Sequence, residues 1–157
     1  MPGAVRAIGA GGLIAGALDI TFAILFYGVA RGRTATSVLQ SVASGWLGSP
    51  AFQGGLPAAA LGLATHFSIA LGAAAVFFGV SASFPDLRRR PIPAGIVFGI
   101  GLYAFMNFVV IPLSQAPFRA SLAPKAVFPA VIVHMFLIGL PIALCARIFG
   151  GVPGEAR

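Results

Sequence analysis

One acid near the middle of twenty almost unbroken apolar residues constrains this chain more than anything else in it. Residues 11–30, GGLIAGALDITFAILFYGVA, are long enough to cross a bilayer. Asp19 is one of only three acids in the 157-residue sequence. A charge at the bilayer centre costs at least ~2.5–3.5 kcal/mol on insertion scales, so such a side chain faces a protein interior or a wet cavity rather than lipid. On a helix its face neighbours are Gly12, Ala15, Gly16 and Ala23, all small. The expectation is that Asp19 lies in a seam where another helix approaches closely.

The rest of the sequence agrees with a membrane setting. Hydrophobic residues make up 59% and charged residues 8%, and the mean hydropathy is +1.00. A water-soluble domain of this size carries more charge than that. The formal net charge of +7 is spread thinly between apolar stretches, which excludes a nucleic-acid partner and fits a topology signal. Cys145, the single cysteine, cannot form an intrachain disulfide and reads as an inert thiol. The first apolar stretch is longer than a signal peptide's and contains an acid, so it reads as a retained helix.

Four spans are expected, at about 8–30, 57–80, 92–113 and 126–149, forming an all-α membrane four-helix bundle in one integral domain. Between the first two spans, residues 34–47 are too short and too polar to cross. Thr34 can cap a helix there, with Val38, Leu39, Val42, Trp46 and Leu47 at helical spacing and Ser37, Gln40, Ser41 and Ser44 opposite. This segment is expected to lie at the outer interface, with Trp46 at headgroup level. Gly95 and Gly99 have the spacing of a close helix contact, and Pro129 and Pro141 mark kinks in the last span. Six Lys and Arg residues (Arg6, Arg88, Arg89, Arg90, Arg147, Arg157) fall on one side and four on the other, which predicts cytoplasmic termini. Arg88, Arg89 and Arg90 are therefore placed at the lipid headgroups.

Asp19, His66, Asn107 and His134, one per span, are expected at similar depth, with Tyr103 one turn from Asn107. Three readings of this polar layer follow. It can be a structural network joining helices in a non-enzymatic membrane component or accessory subunit, as a homo-oligomer or in a larger membrane complex. It can be a proton or ion conduit using Asp19 and the histidines. It can be a haem b site with His66 and His134 as axial ligands. A metal held by Asp19, His66 and His134 ranks last, because no local ligand spacing supports it. No nucleophile elbow, phosphate-binding loop or CxxC pair suggests catalysis.

The segments AGALDITFAILFYG, LQSVASGWLGSPAFQGG, ALGLATHFSIA and YAFMNFVVIPLS together resemble small four-span bacterial inner-membrane proteins of a YagU-like kind. The resemblance covers most of the chain and implies a bacterial inner-membrane location. It carries over no activity, cofactor or catalytic residue.

Overall fold

The computed structural model describes residues 2–119 and 121–152. Among them all regular structure is helical, with no strand. Six helices follow in order: α1 (Pro2–Arg31), α2 (Ala35–Leu47), α3 (Gly55–Ser83), the single turn α4 (Asp86–Arg89), α5 (Pro91–Leu113) and α6 (Pro124–Gly150). α1, α3, α5 and α6 are long and apolar enough to cross a membrane. They carry many exposed large apolar side chains, among them Val97 at 68% and Phe128 at 70% exposure. In water such a surface would aggregate; against lipid tails it is matched. The chain is a multi-pass membrane protein.

α1 is the hub. Gly12 and Gly16 press on Leu71, Phe67 and Ala70 of α3, while Gly11 lies against Ile142 and Cys145 of α6. A Cβ at Gly12 would stand 2.7 Å from the Leu71 Cα, so the two backbones meet with no room for a side chain. The shared core is built from small residues: Ala15 of α1, Ala73 and Ala74 of α3, and Ala143 and Ala146 of α6, filled out by Phe77, Ile138 and Ile142. α5 packs on the other flank of α6. A Cβ at Gly99 would lie 2.7 Å from the His134 carbonyl carbon, and one at Gly95 2.8 Å from the Leu140 Cα. The Gly95–Gly99 spacing therefore marks a true close contact. The Phe77 and Phe98 rings meet edge to face at 5.1 Å and join α3 to α5.

Both α5 and α6 contain one widened turn, Met106–Val110 and His134–Gly139. Each is followed, one residue later, by a proline, Pro112 or Pro141. A proline has no N–H to donate and its ring clashes with the carbonyl four residues back. Those carbonyls belong to Phe108 and Leu137, both inside the widened turns, and the π-type turn makes room for the ring. Pro112 thus does not end its helix, which runs on to Leu113.

α2 begins as expected, with the Thr34 hydroxyl accepting from the Ser37 N–H at 3.1 Å. Its buried face differs from the apolar stripe. Val38, Gln40, Ala43 and Ser44 are buried, whereas Trp46 and Leu47 are exposed. Gln40 donates to Gly55 O at 3.0 Å, Leu39 and Ala43 ride on Gly62, and the Trp46 indole N–H donates to Thr65 Oγ1 at 3.1 Å. These contacts advance along α3 by about 15 Å at ~1.5 Å per residue, so α2 slants along α3. The Gln115 N–H donates to Gly45 O at 3.0 Å, which ties the end of α5 to the same segment. α2 thus stands between the start of α3 and the end of α5.

Candidate functional site

Three polar side chains fall at one level. Asp19 stands twelve residues before Arg31, His66 eleven after Gly55 and His134 ten after Pro124. All three helix ends lie on the α2 side of the bundle. The glycine contacts give the same register: with Gly11 opposite Ile142, Asp19 comes level with His134. Asp19 is half-buried and within Coulombic reach of both His134 and His66. Its helix face is the small-residue seam, with Gly12, Ala15 and Gly16 buried against neighbours.

The two histidines are held by main chain. His66 Nε2–H donates to Gly16 O at 2.9 Å, linking α3 to α1 one turn from Asp19. His134 Nδ1–H donates to Ala130 O at 2.9 Å in its own helix, and its ring meets Tyr103 of α5 edge to face at 5.4 Å. Since each partner is a carbonyl, the bonded nitrogen carries the proton. In the neutral rings this leaves Nδ1 of His66 and Nε2 of His134 as proton acceptors. Asp19 makes no hydrogen bond among the described residues, and the one ion pair found there is Arg89–Asp86. Neither imidazole bonds Asp19 directly; both turn to carbonyls instead.

The fourth member of the expected layer is displaced. Asn107 is six residues before Leu113, nearer its helix end than the other three are to theirs. Its Nδ2 donates to Tyr103 O at 2.8 Å, one turn back in the same helix. An amide satisfied by its own backbone joins no second helix, so Asn107 leaves the network. Tyr103, which is buried, stays beside it through His134.

Of the residues assigned to the headgroup level, Trp46 is exposed, but its tether to Thr65, one residue before His66, brings it to the level of the histidines. Arg89 pairs with exposed Asp86 at 3.2 Å, and Arg90 is exposed. Arg88 corrects the expectation: it is 3% exposed and turned into the protein. Its Nε donates to Ser81 Oγ at 2.7 Å, Nη2 to Phe78 O at 2.8 Å and Nη1 to Gly151 O at 3.3 Å, with the guanidinium 4.0 Å above the Phe78 ring. At Gly151 O, just past the end of α6, the cation meets the negative end of that helix dipole, while Phe78 O lies five residues before the end of α3. Burial pushes the Arg88 guanidinium below its ordinary value. A run of three arginines gave no sign that one of them clasps two helix ends; the nearby Ser81 was the available signal.

Among the described residues no group of three or more His, Cys, Asp or Glu is gathered that could hold a metal ion. A haem on His66 and His134 through Nε2 would require His66 to release Gly16. What the arrangement offers is a carboxyl without a hydrogen bond, near two imidazoles that each keep one basic nitrogen. Comparison of the chain with family models, curated proteins and solved structures finds no match.

Proposed function

We propose that the protein is a non-enzymatic component or accessory subunit of the bacterial inner membrane, with both termini cytoplasmic, organised around a protonatable centre of Asp19, His66 and His134. The observation that carries this reading is the His66–Gly16 bond, which fixes α3 to α1 beside Asp19. A second copy or a larger membrane complex is the natural partner, since the lipid-facing surface is wide and the cluster is small. The test is thermal unfolding in detergent between pH 5 and 8, for the wild type and Asp19→Asn. A melting temperature that depends on pH in the wild type, with a dependence altered in the variant, supports the protonatable centre. Superimposable profiles overturn it.

A second reading, a proton conduit, is favoured by the missing hydrogen bond at Asp19, because a carboxyl without one is free to exchange its proton. Proton flux into liposomes carrying the purified protein separates the two. The conduit predicts flux that Asp19→Asn abolishes with the fold intact; absence of flux leaves the first reading alone.

A further inference from the structure

We infer that the groove between the end of α3, α4 and the start of α5 binds one anionic phospholipid, its phosphate at Arg90 and an acyl chain against the apolar walls. The groove has a volume of about 470 Å³ and is walled by Phe77, Val80, Leu87, Val97 and Phe98. Asp86 and Arg90 line it at the helix ends. Its apolar walls run roughly 10 Å inward from that mouth along both long helices, at ~1.5 Å per residue. A lipid headgroup and the upper part of its chain meet the same change from polar to apolar over that depth.

Charge selects the headgroup. Asp86 is taken by Arg89 at 3.2 Å, and Arg88 is turned inward on the helix-end carbonyls. Arg90 is exposed and forms no ion pair or hydrogen bond among the described residues. A guanidinium with no ion pair among the described residues, at the mouth of an apolar groove between spans, matches a phosphate diester carrying an acyl chain. It does not match a second copy of this apolar, basic chain equally well, because two such surfaces would bring like charges together.

Native mass spectrometry of the detergent-purified full chain tests this, with added phosphatidylglycerol or phosphatidylcholine of matched chains. The expected result is retention of one phosphatidylglycerol about fivefold above phosphatidylcholine, the preference one arginine near a membrane surface supplies. Arg90→Gln should remove that preference. Val97→Trp, which fills the groove, should lose the retained lipid. Val109→Trp, elsewhere on the exposed face of α5, should keep it. Helical circular dichroism confirms that each variant is folded. Equal retention of both lipids by the wild type, an unchanged preference in Arg90→Gln, or displacement of the lipid by glycerol phosphate as readily as by phosphatidylglycerol would overturn the proposal. So would a lipid-free dimer that Val97→Trp dissociates.

Discussion

Gly99 and Arg88 show how single residues hold this bundle. A side chain at Gly99 has nowhere to go, because the His134 and Met135 backbone occupies its place. Gly99→Val should cost about 1–3 kcal/mol, the usual range for overpacking, and lower the melting temperature. Gly101→Ala, with nothing within 4 Å of its Cβ position, should be close to neutral. Arg88→Met keeps much of the volume but leaves Phe78 O and the Ser81 hydroxyl without their cationic donor. We expect a loss of about 2–3 kcal/mol, as for hydrogen bonds to charged groups, read as a drop in the detergent unfolding midpoint. The depressed Arg88 value means that folding weakens this base, so stability would rise with pH through its titration. Arginine side chains stay protonated at neutral pH, so a pH 6–8 unfolding series should show no change assignable to Arg88. Gly95 and Gly99 were legible in the sequence because their spacing has one physical use in a span. Arg88 was not, because whether an arginine meets lipid or helix-end carbonyls depends on where two helices far apart in sequence stop.

At the scale of elements, the four spans were legible from apolar length alone, within a few residues at most ends and six at the start of α1. The interior of α2 was not. Gln40 and Ser44 look like an outward polar face, yet each finds a carbonyl, Gly55 O for Gln40 and Ser41 O for Ser44. Once satisfied, a polar group can be buried, and the apolar side of α2 is then left for lipid. This attachment depends on Gly62, where a Cβ would run into the Leu39 carbonyl. Gly62→Ala should lift α2 from α3, break the Trp46–Thr65 bond and shift Trp46 fluorescence. Gly72→Ala in the same helix, with no neighbour within 4 Å, should leave the spectrum unchanged. With depth-placed quenchers in the bilayer, Trp46, tied to Thr65 beside His66, is expected to respond more to deep quenchers than to those at the headgroups.

For the whole molecule, the central observation is that α1 lies between α3 and α6, with α5 outside α6 and α2 outside α3. Neighbours in sequence are not always neighbours in space, and a depth estimate from each span alone could not show that. It set Asp19, His66, Asn107 and His134 at one level, whereas Asn107 stands nearer its helix end than the other three stand to theirs. Four crossings place both termini on one side. The proposed orientation takes that side as cytoplasmic, from six basic residues against four. Reporter fusions at the C-terminus should be active only as cytoplasmic reporters, and a fusion after Arg33 only as a periplasmic one. The opposite pattern would reverse the orientation.

The placement of α1 also has a consequence for how the protein is made. The first helix to be made packs between two helices that are both synthesised after it. Some ninety residues separate Arg31 from the start of α6. At ~5–20 residues per second, α1 waits about 5–20 s for that partner. Gly12 and Gly16 gain Leu71, Phe67 and Ala70 once α3 is made, but until α6 follows Gly11 lacks Ile142 and Cys145 and Asp19 lacks the His134 side. A helix in that condition should linger beside the insertion machinery instead of escaping into lipid, so crosslinks between α1 and the translocon are expected to persist until α6 emerges.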